Sequence, residues 1–145
     1  MTSVVRAVAR LLPAPSLVLA AAFIVKGYSN VGDGFSAGVI VALALALQYL
    51  ALGARRAEAA LPFLRFAPAV AVSGLLIALA VGFFPLLHGD PPFTHRPPPG
   101  VHPITIGTLE LTTAVVFDVG VFLLVVGVLV VLVHHLARTD EGTAR

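Results

Sequence analysis

Few residues in this chain are equipped for chemistry, and most of those fall where long apolar runs are interrupted. Asp118 stands in a stretch otherwise built of Val, Leu, Phe and Gly. A carboxylate inside such a segment costs about 2.5–3.5 kcal/mol at the centre of a bilayer and less near its boundary. It must face protein or water, or carry a proton. Asp118 is therefore either a proton or cation relay, or a structural acid paired with a neighbour or capping backbone groups. Lys26 closes the first apolar run. Its amine either snorkels to the boundary or pairs with Asp118 or Asp33, since all three are expected at one depth. Asp33 belongs to the Gly-rich turn Tyr28-Ser-Asn-Val-Gly-Asp-Gly-Phe-Ser-Ala-Gly38. Exposed N–H groups and the helix dipole favour an anion there, so capping is its plain role and ion handling its sharper one.

The remaining ionisable groups point less clearly to chemistry. Glu110 reads as solvated or structural. His88, His95 and His102 recur at intervals of seven near Asp90. Zinc accepts imidazole and carboxylate, but prolines separate these residues and the spacing matches no ligand motif, so no metal is assigned. His134 and His135 are expected to meet the carbonyl end of the last helix. Cysteine is absent, which removes disulfides, thiolate ligands and a thiol nucleophile. No Ser/His/Asp set, phosphate loop or dinucleotide fingerprint occurs, so no catalytic residue, cofactor or independent enzyme activity is read.

The elements that position these groups are membrane helices. The chain has 145 residues, 59% of them hydrophobic and 11% charged, with a mean hydropathy of +1.02. Soluble domains carry about a quarter charged residues, and a helix needs about 20 apolar residues to cross a bilayer. The composition implies an all-α integral membrane protein, a single membrane domain over 1–145. Four spans are predicted at about 13–28, 34–52, 68–87 and 114–136. Met1–Leu12 reads as a basic lead-in, and the first apolar run reads as a retained helix instead of a cleaved signal. Pro13 and Pro15 suit a first helical turn. Gly53–Phe66 reads as a polar connection and Ala137–Arg145 as a short polar tail. The alternation in Ile104-Thr-Ile-Gly-Thr-Leu-Glu-Leu111 predicts a small β-hairpin before the last span.

Small residues recur along the spans. Gly34, Gly38, Ala42 and Ala46 form one ridge on the second, and Ala71, Gly74, Ala78 and Gly82 form another on the third. Gly120 and Gly127 interrupt the fourth. Such spacing lets helix backbones approach closely where no hydrophobic effect drives association. Arg6, Arg10, Arg55, Arg56, Arg65, Arg138 and Arg145 fall on one side of the predicted topology, against Lys26 and Arg96 on the other. By the positive-inside rule both termini are cytoplasmic, and the Gly-rich turn and hairpin lie outside. The basic residues form no continuous stripe, which excludes nucleic acid as a partner.

Two stretches resemble the MnhB-like B subunit of Mrp-type multisubunit cation/proton antiporters. One is Gly32-Asp-Gly-Phe-Ser-Ala-Gly38 with the helix that closes on Leu47-Gln-Tyr-Leu-Ala51. The other is Phe117-Asp-Val-Gly-Val121 followed by Val125-Val-Gly127. The resemblance spans roughly Lys26 to Leu136, and Asp118 matches the family motif directly. The family turn reads Pro-Gly-Gly-Gly-Phe, whereas here it is Val31-Gly-Asp-Gly-Phe35, so no family role carries over to Asp33. The resemblance implies a small subunit in the bacterial inner membrane, bound to other hydrophobic subunits and to lipid. Such complexes exchange sodium or another cation for protons, without a redox cofactor. Related membrane-bound hydrogenases and complex I-like assemblies reuse the same modules. Two functions follow: a component that lines or supports an ion path through Asp118, Lys26 and Asp33, or a purely structural assembly component.

Overall fold

The computed structural model describes residues 3–26, 33–95, 104–106 and 109–143. Its helices are α1 (Ser3–Leu11), α2 (Pro13–Lys26), α3 (Asp33–Leu52), α4 (Ala54–Ala60), α5 (Ala67–Phe83) and α6 (Thr113–Thr143). Tighter 3-10 segments, Pro62–Phe66 and Phe84–His88, flank α5. Four stretches among the described residues are long and apolar enough to cross a membrane: Ser3–Val25, Asp33–Leu52, Leu64–His88 and Thr113–Thr139. At 1.5 Å per residue, a 20-residue helix reaches about 30 Å, the thickness of a hydrocarbon core.

Helix α6 is the centre of the bundle, packed between α5 and α3, with α2 on α3 and α1 against α3. Leu43, Leu50, Leu76 and Leu87 remain exposed. Apolar residues therefore occupy both the inward and the outward faces of these helices, as expected for segments surrounded by lipid or by other membrane proteins.

Three expectations are corrected. The basic lead-in is itself helical. Nothing before Pro13 breaks a helix, and Ala9 of α1 is fully buried against Ala51 and Leu52 of α3. The prolines only interrupt the ladder, because they lack an N–H. The amides of Leu12 and Ser16 carry it across to Val8 O (2.9 Å) and Leu12 O (3.1 Å). The polar connection is likewise ordered: Gly53 turns the chain at φ 80°, and the alanine-rich α4 follows, alanine being the best helix former. The tail after Leu136 continues α6 to Thr143. No proline stops it, and Thr139 Oγ1 donates to His135 O at 2.9 Å.

Beyond α5 the chain closes over the helix ends. Gly89 adopts φ 78° and caps the 3-10 segment. Phe93 takes φ 62°, uncommon for a bulky residue. Its amide donates to Gly82 O at 2.8 Å, and its ring lies 5.8 Å from Phe83 and 5.9 Å from Phe117. Two short strands, β1 (Ile104–Ile106) and β2 (Leu109–Leu111), pair antiparallel with Ile104 opposite Leu111. They fall on the alternating stretch; residues 107–108 between them lie outside the described residues, as does the Gly-rich turn over 27–32.

Candidate ion-path residues at the α3–α6 crossing

Asp118 lies five residues into α6, roughly 8 Å along its axis. It is 1% exposed and is the largest fully buried side chain among the described residues. The start of α3 rests on its main chain. A methyl group on Gly34 would lie 2.7 Å from both the Cα and the carbonyl carbon of Asp118, closer than real Cβ atoms come. The two backbones are therefore in direct contact, and Asp33, the half-buried first residue of α3, is one residue away from that contact. Lys26 ends α2. Only residues 27–32 separate it from α3, so it belongs to the same end of the bundle, although its side chain lies outside the described residues.

Below this crossing the helices touch through small residues. A Cβ on Gly38 would meet Val125 Cβ at 2.9 Å, and Ala42, one turn on, is buried. On the other flank, a Cβ on Gly120 would lie 2.8 Å from Ala78 N, and one on Gly127 would lie 2.5 Å from Ala71 N. Gly74 answers from α5, where a Cβ would sit 2.6 Å from Gly120 O. Helix α6 is thus held between two neighbours at backbone contact, which only glycine permits.

The histidines divide. His88 packs its ring 5.0 Å from Phe84, and His95 lies 5.9 Å from Phe117. His102 and the Glu110 side chain lie outside the described residues. Among the described residues no three metal-ligating side chains converge. His134 and His135 do not serve the helix C-terminus as expected, because α6 runs on to Thr143. His135 Nδ1 instead meets Val131 O at 2.9 Å. His134 Nδ1 lies 2.6 Å from Glu58 Oε1 of α4, and Arg138 Nη2 lies 3.9 Å from Glu58 Oε2. The Tyr49 ring meets His134 edge-on at 6.3 Å.

This second polar cluster had one legible trace. His134 and Arg138 are four residues apart and must share a helix face. Their partner on α4 left no such sign, because α4 itself read as a loop.

The arrangement can do two things chemically. A buried carboxylate at a glycine-tight crossing can bind and release a proton or hold a cation. The opposite end of the bundle carries an ion-paired group at the boundary. Along α6 the two ends lie roughly 24 Å apart, most of the thickness of a hydrocarbon core.

A family model described as "Domain related to MnhB subunit of Na+/H+ antiporter" matches residues 4–131. The chain is 40% identical over 114 residues to the B subunit of the Na(+)/H(+) antiporter of Alkalihalophilus pseudofirmus, covering 79% of this chain and 77% of that one. It is 31% identical to the B subunit of the Na(+)/H(+) antiporter of Bacillus subtilis, over 79% of this chain and 78% of the relative. It also matches the A/B subunit of a probable K(+)/H(+) antiporter of Rhizobium meliloti at 34% identity, over 88% of this chain but only 13% of that much longer protein. With nearly the whole chain inside the family match, this protein belongs to the family of domains related to the MnhB subunit of Na+/H+ antiporters.

Proposed function

We propose that the chain is a non-enzymatic small membrane subunit of a multisubunit cation/proton antiporter, and that Asp118, with Lys26 and Asp33, lines or supports a proton or cation path. The observation that carries this reading is the burial of Asp118 inside a helix long and apolar enough to span a membrane, where the first turn of α3 touches its main chain. A carboxylate in such a segment is costly, and a functional role explains why one is placed there. The protein sits in the bacterial inner membrane with both termini cytoplasmic, as the arginine distribution favours. The Gly-rich turn and a hairpin built on β1 and β2 then lie on the outer side. Its partners are the other hydrophobic antiporter subunits, the lipid around them, and the transported cation and proton. The names of its relatives differ between sodium and potassium, so the cation is left general.

The test is cation/proton exchange in vesicles bearing the assembled complex with Asp118→Asn. The substitution keeps size and a polar side chain, turns one acceptor oxygen into a donor NH2, and removes the titratable group. Exchange should fall while the complex stays intact; intact complexes exchanging at the wild-type rate would overturn the reading.

The backbone contacts at Gly34, Gly120 and Gly127 favour a second reading, a purely structural or assembly role in this or a related complex I-like or hydrogenase-type assembly. On that reading Asp118→Asn, Lys26→Gln and Asp33→Asn all leave exchange unchanged.

A further inference from the structure

A cavity of about 430 Å³ opens between the α1–α2 junction, α3, α5 and α6. Its walls are almost wholly apolar, with Leu17, Val41, Leu45, Phe122 and Val126 among them. Two polar residues line it. Gln48 is 3% exposed, and its Oε1 has no hydrogen-bond donor among the described residues. Arg10 lies on the rim.

A second hollow, of about 260 Å³, is lined by Glu58, Arg65, His134, His135 and Arg138. Leu64, Ala67 and Val130 line both hollows, so the two share a wall. They lie side by side, the larger apolar and the smaller lined by charged and basic groups. Arg10 belongs to the same end of the bundle as the smaller one, because its neighbour Ala9 packs on Ala51 and Leu52 at the end of α3.

The balance of charge favours an anion. Arg10, Arg65 and Arg138 line the two hollows against one carboxylate among the described residues, Glu58. Arg138 touches that carboxylate only at 3.9 Å and is 64% exposed, so its guanidinium can reach a second anion. The Arg65 guanidinium carbon lies 4.7 Å from the centre of the Phe66 ring.

We propose that the two hollows together bind one anionic phospholipid. An acyl chain fills the apolar cavity, the phosphate meets Arg65 and Arg138, and the polar backbone of the lipid passes Gln48. Basic pockets between membrane helices recognise anionic headgroups in this way, and each buried methylene adds to the attraction. The site stands apart from Asp118 and does not depend on the ion-path reading.

The intact complex, purified in mild detergent, is to be examined by native mass spectrometry after exchange into micelles doped with phosphatidylglycerol or with phosphatidylcholine. Three forms are compared: wild type, the double variant Arg65→Gln/Arg138→Gln, and Leu17→Trp, which fills the apolar cavity. Wild type should retain one phosphatidylglycerol that phosphatidylcholine does not replace. Losing two headgroup contacts should weaken that retention about ten- to thirty-fold, and Leu17→Trp should abolish it in a complex of unchanged subunit composition. Equal retention in all three forms overturns the proposal. So does equal uptake of phosphatidylcholine, or cross-linking of a photoreactive residue at position 17 to a neighbouring protein instead of to lipid.

Discussion

Gly34 rests on the backbone of Asp118 with no room for a side chain, since a Cβ there would lie 2.7 Å from the Asp118 Cα. The obstacle is main chain on both sides, so no rotamer change relieves it. Gly34→Ala should force α3 away from α6 and cost about 1–3 kcal/mol, as overpacking typically does. The check is the thermal midpoint of the detergent-solubilised complex. An unchanged midpoint would mean the contact is looser than the structure shows.

The carboxylate itself can be separated from its packing. Asp118→Asn should lower exchange at least about ten-fold, equivalent to some 1.4 kcal/mol, while moving the thermal midpoint little. Asp118→Glu, which keeps the titratable group but adds a methylene to a closed site, should disturb stability more and exchange less. If the two variants rank the other way in exchange, the residue acts through shape and not through charge.

At the far end of α6, Glu58 and His134 form a contact with about 30% of each side chain exposed. Solvent screens such a pair, so a double-mutant cycle with Glu58→Gln and His134→Gln should give a coupling of roughly 0.5 kcal/mol. A coupling indistinguishable from zero would assign the contact to packing with Tyr49 alone.

Phe93 ties the segment after α5 to the helix ends. Phe93→Ala removes two ring contacts worth about 0.5–1.5 kcal/mol each, and limited proteolysis should then cut faster between 89 and 95. Gly82→Ala should act in the same direction, because its Cβ would lie 2.6 Å from Phe93 Cε1. Resistance to protease in both variants would show that the segment is held by something else.

The absence of cysteine makes membrane sidedness directly measurable, since any introduced thiol is unique in the chain. On the proposed topology, with both termini cytoplasmic, Pro92→Cys should react with an impermeant maleimide on intact cells. Thr143→Cys should react only after the membrane is opened. The reverse pattern would invert the proposed topology.

How much was legible in the sequence depended on whether the signal was local. The four spans follow from hydropathy, and the small-residue ridges follow from spacing. Asp118 stood out because a single acid in an apolar run is costly wherever the run ends up. By contrast, Pro13 and Pro15 masked α1. Proline marks a helix start as readily as an interruption, and only the burial of Ala9 against α3 decides between them. Alanine-rich α4 was hidden by the arginines around it, and with it went the Glu58–His134 contact, which links elements far apart in the chain. The Arg10–Gln48 cavity was invisible for the same reason, its walls being drawn from every span.

Helix α6 extends over 31 residues, roughly 46 Å, well beyond a hydrocarbon core of about 30 Å. Its grips at Gly34, Gly74 and Ala71 touch backbone and leave no compliant layer of side chains between rod and bearing. So held, the helix works as a spacer: it fixes the distance between Asp118 and the Glu58–His134 contact at roughly 24 Å, and neither end can shift without breaking a main-chain contact.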